Sequence, residues 1–125
     1  MTIAAVIVTY NRKQLLMENL DSLIMQTYQL DSIIIIDNAS TDGTENILRE
    51  KGYFERLPLD YIVMDHNSGG AGGFSYGVEY AYKKGFDFIV LMDDDGRSYD
   101  CSTMENLCEK AKEIYLSKNK LLMLN

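Results

Sequence analysis

Three consecutive carboxylates, Asp93-Asp94-Asp95, stand directly behind the apolar run Phe88-Ile89-Val90-Leu91-Met92. Adjacent carboxylates oppose one another's ionisation, and a divalent cation relieves that repulsion. On an extended backbone Asp93 and Asp95 point the same way and Asp94 points opposite. Two carboxylates that leave positions open suit Mg2+ or Mn2+, with water and ligand phosphate oxygens completing an octahedron. The plain alternative is a solvated acidic turn. The place of the triplet, immediately after a strand-like run, favours the metal reading.

Three other segments carry side chains or backbone suited to a small charged ligand. Gly69, Gly70, Gly72 and Gly73 let the backbone approach a ligand, and as a loop opening a helix they would offer free N–H groups to an anion. The alternative is a flexible helix start. No GK[ST] follows, so this is not a P-loop, and the first strand lacks the glycines of a dinucleotide fingerprint. Asp37, behind four isoleucines, either accepts a hydrogen bond from a pyrimidine ring N–H or caps its own strand end with the turn residues Asn38 and Ser40. Arg12 either meets a phosphate or is an exposed cation at a helix start. His66, the single histidine, reads as a surface residue.

The elements that must position these groups are legible from periodicity. Ile3 to Thr9 is a short β-branched run and reads as a buried strand. Leu15, Leu16, Leu20, Leu23 and Ile24 predict a helix over 14–27 with Asn11 as its N-cap. Ser32 to Asp37 is a second strand, its isoleucines too β-branched and too few for a helix. A helix follows over 44–51, with Asp42 and Glu45 at capping-box spacing and Gly52 at its C-terminal stop. Strands are expected at 61–64 and 88–92, and a helix from Phe74 to Lys84 that stops at Gly85. Ser102 and Glu105 open a last helix to about Leu116, and Lys120 to Leu124 reads as a fifth strand. Near-continuous apolar strands alternating with helices imply an α/β fold with a mostly parallel sheet flanked by helices. In such sheets ligands bind beyond the carboxyl ends of the strands, where all four polar segments fall. A strand ending the sequence suggests a domain cut inside its sheet.

Bulk properties narrow the function. A chain of 125 residues is one small domain, short for an enzyme with two substrates. Its net charge of −7 excludes phosphate tracking, so no nucleic-acid partner is expected. An acidic protein still binds a small phosphorylated ligand when a cation bridges the two. No stretch reaches the apolar run of about 20 residues that spans a bilayer, and the start lacks a signal peptide's pattern. Cys101 and Cys108 read as reduced thiols of a cytoplasmic protein.

Taken together and in order, four segments resemble the family 2 glycosyltransferases. They are Val8-Thr9-Tyr10-Asn11-Arg12, Asp37-Asn38-Ala39-Ser40-Thr41-Asp42-Gly43-Thr44, Asn67-Ser68-Gly69-Gly70-Ala71-Gly72-Gly73-Phe74 and Met92-Asp93-Asp94-Asp95-Gly96. The Gly-Gly-Ala-Gly-Gly-Phe stretch and the triple aspartate are most similar to the galactofuranosyl- and rhamnosyltransferase branch. The resemblance implies a Rossmann-like GT-A nucleotide-sugar-binding half spanning 1–125, without the acceptor-binding half. It implies metal-dependent, inverting transfer of a sugar from a UDP or dTDP sugar, with GDP also open, to a glycan or lipid-linked acceptor in cell wall or polysaccharide biosynthesis. Thr9, Tyr10, Asn11 and Arg12 would flank the nucleotide. Asp37 would hold the base, with Asn38, Ser40 and Asp42 shaping that pocket. Asn67, Gly69, Gly70 and Asp94 would line the cleft, and Asp93 and Asp95 would hold Mn2+ or Mg2+.

Inverting members need a carboxylate base well downstream of the acidic motif, so no catalytic residue is assigned. Glu105, Glu109 and Glu113 read as a solvated helix face. The expected behaviour is nucleotide binding with little or no turnover, in a cytoplasmic protein, peripheral to the inner membrane face when the acceptor is lipid-linked. A homo-oligomer through an open sheet edge is a further expectation. The competing reading is a non-catalytic nucleotide-binding or assembly module working with a partner chain. A phosphatase or receiver pocket is disfavoured because Asp37 is followed by Asn-Ala-Ser.

Overall fold

The computed structural model describes residues 1–95, 105, 106, 108–110, 112, 113 and 122–124. The elements run β1 (Ile3–Thr9), α1 (Lys13–Ile24), β2 (Ser32–Asp37), α2 (Thr44–Glu50), α3 (Tyr53–Arg56), β3 (Leu59–Val63), α4 (Gly69–Lys83), β4 (Phe88–Asp93) and β5 (Leu122–Leu124). The five strands form one sheet in the order β3-β2-β1-β4-β5, and each neighbouring pair is parallel. The expected α/β architecture is therefore the one formed.

Alternation along the strands sends side chains to two cores. Ile3, Ala5, Ile7, Ile33, Ile35, Phe88, Val90 and Met92 pack with Leu16, Leu20 and Leu23 of α1 and Leu48 of α2. Ala4, Val6, Ile34, Ile36 and Ile89 pack on the other face with Ala81, Phe74 and Val78 of α4. Burial on both faces is why β1 and β2 are unbroken apolar runs.

Several local expectations are corrected. The glycine-rich segment is not a loop: Gly69 to Gly73 form the first turns of α4. The reason is close packing. A Cβ on Gly73 would lie 2.6 Å from Val8 Cγ1, and one on Gly77 would lie 2.3 Å from Val6 Cγ1. Gly73 and Gly77 let the helix lie directly on β1, and this tertiary gain outweighs their poor helix propensity. Asn11 does not cap α1. It has a left-handed φ of 50°, the N-cap is Arg12, and the cap has no side-chain hydrogen bond. The helix also ends at Ile24, short of Thr27. Asp42 and Glu45 form no capping box; the N-cap of α2 is Gly43, itself left-handed. Gly52 does follow the C-cap of α2 with φ 78°, but the chain then forms α3, which periodicity did not show. β3 begins at Leu59 and ends at Val63, two residues before its expected start and one before its expected end. Glu105, Asn106, Cys108–Lys110, Lys112 and Glu113 are helical, in line with the expected last helix, whereas Cys101, Ser102 and Leu116 lie outside the described residues.

Candidate nucleotide-sugar site

The chain lays β1, β2 and β3 to one side and then crosses over to place β4 against the other edge of β1. The strand order reverses there, and the crevice beyond such a switch point is where open α/β sheets hold ligands. Register brings the candidate residues to that crevice. Thr9 pairs with Asp37 across β1 and β2, and Val8 pairs with Asp93 across β1 and β4.

The acidic turn is held from the β1 side. Asp94 is buried, and its carboxylate accepts from Thr9 Oγ1 at 3.1 Å and from the Arg12 guanidinium at 3.1 Å. Burial pushes this carboxyl above the usual range, only partly opposed by the two donors and the positive charge of Arg12; Asp95 adds to the rise. Arg12 also lies 3.8 Å from Asp95. Asp93 and Asp95 are exposed, so the middle carboxylate turns inward and its neighbours face outward. Asn19 of α1, which was not among the sequence-predicted site residues, donates to the Asp93 carbonyl at 3.1 Å.

The loops after β1 and β2 are laced together. The Asn11 N–H donates to Ser40 Oγ at 2.9 Å, and its side-chain carbonyl accepts from the Thr41 N–H at 2.7 Å. Lys13 reaches across to the Asp42 carbonyl at 2.9 Å. Asp42 also accepts from Thr44; burial opposes its ionisation, but that bond and the Lys13 contacts prevail and hold its pKa below the usual value. Asn11 and Ala39 both have positive φ, a backbone cost met at this junction. Tyr10 is exposed beside it.

Asp37 is 4 % exposed. One oxygen accepts from the Ser40 N–H at 2.8 Å and the other from the Tyr61 hydroxyl. The strand-end capping arrangement is thus present, and each carboxylate oxygen retains a lone pair. Burial and this carboxylate together push the Tyr61 hydroxyl far above its ordinary pKa. Asn38 is buried and serves as a strut: it donates to the Gly69 carbonyl at 3.0 Å and accepts from Ser68 Oγ at 3.1 Å. Asn67 accepts from the Gly69 N–H at 2.8 Å. Gly69 and Gly70 are exposed, with nothing within 4 Å of where a Cβ would stand. Tyr61 and Ser68 are partners that sequence reasoning passed over. His66 is exposed and touches Asp65.

All four segments therefore meet along one sheet edge. A family model described as glycosyl transferase family 2 matches residues 4–115. The chain belongs to glycosyltransferase family 2. It is 36% identical over 105 residues to the galactofuranosyltransferase GlfT1 of Mycolicibacterium smegmatis, covering 84% of this chain and 33% of that protein. The crystal structure of S. aureus TarS in complex with UDP has a similar fold, with a TM-score of 0.76 at 24% identity over 92% of this chain and 33% of that one. The mannosyltransferase PcManGT from Pyrobaculum calidifontis, in complex with GDP-Man and Mn2+, gives a TM-score of 0.73 at 26% identity, covering 86% of this chain and 31% of that one. The chain spans about a third of the length of each. Among the described residues no three His, Cys, Asp or Glu side chains form a metal cage, and no helix is long and apolar enough to cross a membrane.

Proposed function

We propose that this family 2 chain is the donor-binding part of a glycosyltransferase. It would hold a nucleotide-diphosphate sugar across the carboxyl edge of β1, β2 and β4, for transfer to a glycan or lipid-linked acceptor in polysaccharide assembly. The observation that carries the reading is the convergence of Thr9 to Arg12, Asp37 to Asp42, Asn67 to Gly70 and Asp93 to Asp95 at the switch point, cross-tied by side-chain hydrogen bonds.

The residues suit a divalent ion. Asp93 and Asp95 are exposed oxygen donors, while Asp94 is taken up by Thr9 and Arg12. An all-oxygen pair short of a closed cage fits Mn2+ or Mg2+ that brings its own water and phosphate ligands. Such an ion, when bound, stabilises the charge of a departing nucleoside diphosphate. Arg12, half-exposed and steered by Asp94, supplies a fixed positive charge beside the same phosphates. The lone pairs left on Asp37 accept from a pyrimidine ring N–H, with Asn38, Ser40 and Asp42 fixing the pocket around it. Gly69 and Gly70 leave room for the sugar. The acceptor's base is assigned to no residue of this chain. PcManGT, bound to GDP-Man and Mn2+, supports the ligand class.

The test is thermal unfolding with UDP, dTDP or GDP, each with and without Mn2+. A ligand at 100 times its Kd adds about 2.7 kcal/mol of stability. A rise that needs nucleotide and metal together, and is lost in Asp93→Asn/Asp95→Asn, supports the reading and names the base. A chain that melts cooperatively yet responds to none of them refutes it.

A further inference from the structure

The buried face of α1 is Leu16, Met17, Asn19, Leu20 and Leu23. Asn19 has no solvent exposure, and it sits in the stripe that packs on the sheet. Its Nδ2 donates to the Asp93 carbonyl at 3.1 Å, and its Oδ1 has no partner among the described residues. An unpaired acceptor in an apolar core opposes folding. Core packing therefore gives no reason for asparagine here; leucine would continue the stripe. The reason lies in what the amide holds.

We propose that Asn19 is a positioning residue for the acidic turn, an inference that rests on the metal-binding reading of Asp93 and Asp95. The Asp93 carbonyl lies where β4 ends and the turn begins. Asn19 grips that carbonyl from α1, while Thr9 and Arg12 grip the Asp94 carboxylate from the end of β1 and the start of α1. Three donors thus fix two consecutive residues. What they leave outward are the side chains of Asp93 and Asp95. The unpaired Oδ1 is the stability cost of an N–H2 donor at this position, because an amide cannot present one without carrying the other.

Asn19→Leu tests the inference, with Asn19→Ala as the second variant should the larger side chain disturb packing. Three readouts are compared with the parent chain. They are the melting temperature, amide hydrogen exchange at Asp94 and Asp95 without ligand, and Mn2+ affinity in the presence of nucleotide. The expected result is an unchanged or higher melting temperature, faster exchange confined to the turn, and Mn2+ affinity about 10- to 100-fold weaker, the usual effect of removing a group that orients a ligand. Binding of nucleotide alone changes less. Parent-like exchange at the turn in both variants overturns the assignment. So does a uniform rise in exchange with a lower melting temperature, which marks a merely structural role. If the parent chain shows no metal-dependent binding but the turn still loosens in the variants, the donor-site reading fails and the hold of Asn19 on the turn stands.

Discussion

The seating of α4 on β1 gives a prediction whose sign differs between two glycines of one helix. At Gly77 an added Cβ would stand 2.3 Å from Val6 Cγ1 and 3.2 Å from Ile36 Cγ1, both in the core. To reach ordinary van der Waals contact the helix must lift by about 1 Å, or Val6 must move by as much. Overpacking of this kind costs about 1–3 kcal/mol, while alanine returns up to about 1 kcal/mol of helix propensity. Gly77→Ala should therefore lose about 1–2 kcal/mol. Gly70, in the same helix, has nothing within 4 Å, so Gly70→Ala should gain about 0.4–1 kcal/mol. Urea unfolding of both variants measures this, with an unchanged slope confirming that stability alone moved. Val6→Ala combined with Gly77→Ala should recover part of the loss as a coupling energy, since the two residues are in contact. Because the Gly69 carbonyl is tied to Asn38, a lifted helix should also weaken the nucleotide binding proposed above. A Gly77→Ala chain as stable as the parent, or Gly70→Ala losing as much, would refute the packing explanation of the glycine-rich segment.

Other expectations follow from the site's electrostatics. The raised Asp94 pKa means the folded chain binds that proton more tightly than the unfolded one, so its contribution is present at low pH and lost as pH rises through the folded value. Asp94→Asn should thus gain stability relative to the parent as pH climbs from the ordinary aspartate range toward neutrality; a relative gain that shrinks over that span contradicts this. Asp42 has the opposite sign: its lowered pKa gives stability present above the ordinary aspartate range and lost as pH falls through the folded value. Asp42→Asn should cost about 1 kcal/mol near pH 7 and little in acid, as paired urea curves would show. Tyr61→Phe leaves one oxygen of buried Asp37 without its donor and should cost about 1–3 kcal/mol by the same measurement.

Much of this fold could be read from residue order, because buried parallel strands declare themselves as β-branched runs. Ile33 to Ile36 allow no other assignment, and β1 and β2 fall where expected. What periodicity could not supply were features decided by tertiary contact. Glycines normally read as a loop, and the closeness of Val8 to Gly73 and of Val6 to Gly77 is a tertiary reason for glycine inside this helix that periodicity cannot show. Asn11 looked like a cap because its type favours caps, yet its side chain is spent on Thr41, about 30 residues away in the chain. The convergence of the four polar segments was legible, since the carboxyl-edge rule needs only strand order. The inward turn of Asp94 and the grip of Asn19 were less so. One local signal did exist for Asn19: a polar residue in the apolar phase of a helix, one position before Leu20.

The two side-chain clips between β1 and β4 each join residues 85 apart: the Thr2 N–H donates to Asp87 at one end, and Thr9 donates to Asp94 at the other. The intervening chain holds α1, β2, α2, α3, β3 and α4. Contacts of such sequence separation carry a larger loop-closure cost than local ones, so this pairing is expected to form after the local units. The acidic turn consequently has no structured precursor in any single strand-helix-strand unit. On the donor-site proposal, nucleotide capture at this edge would therefore require folding through β4, and chains stalled earlier should be blind to nucleotide.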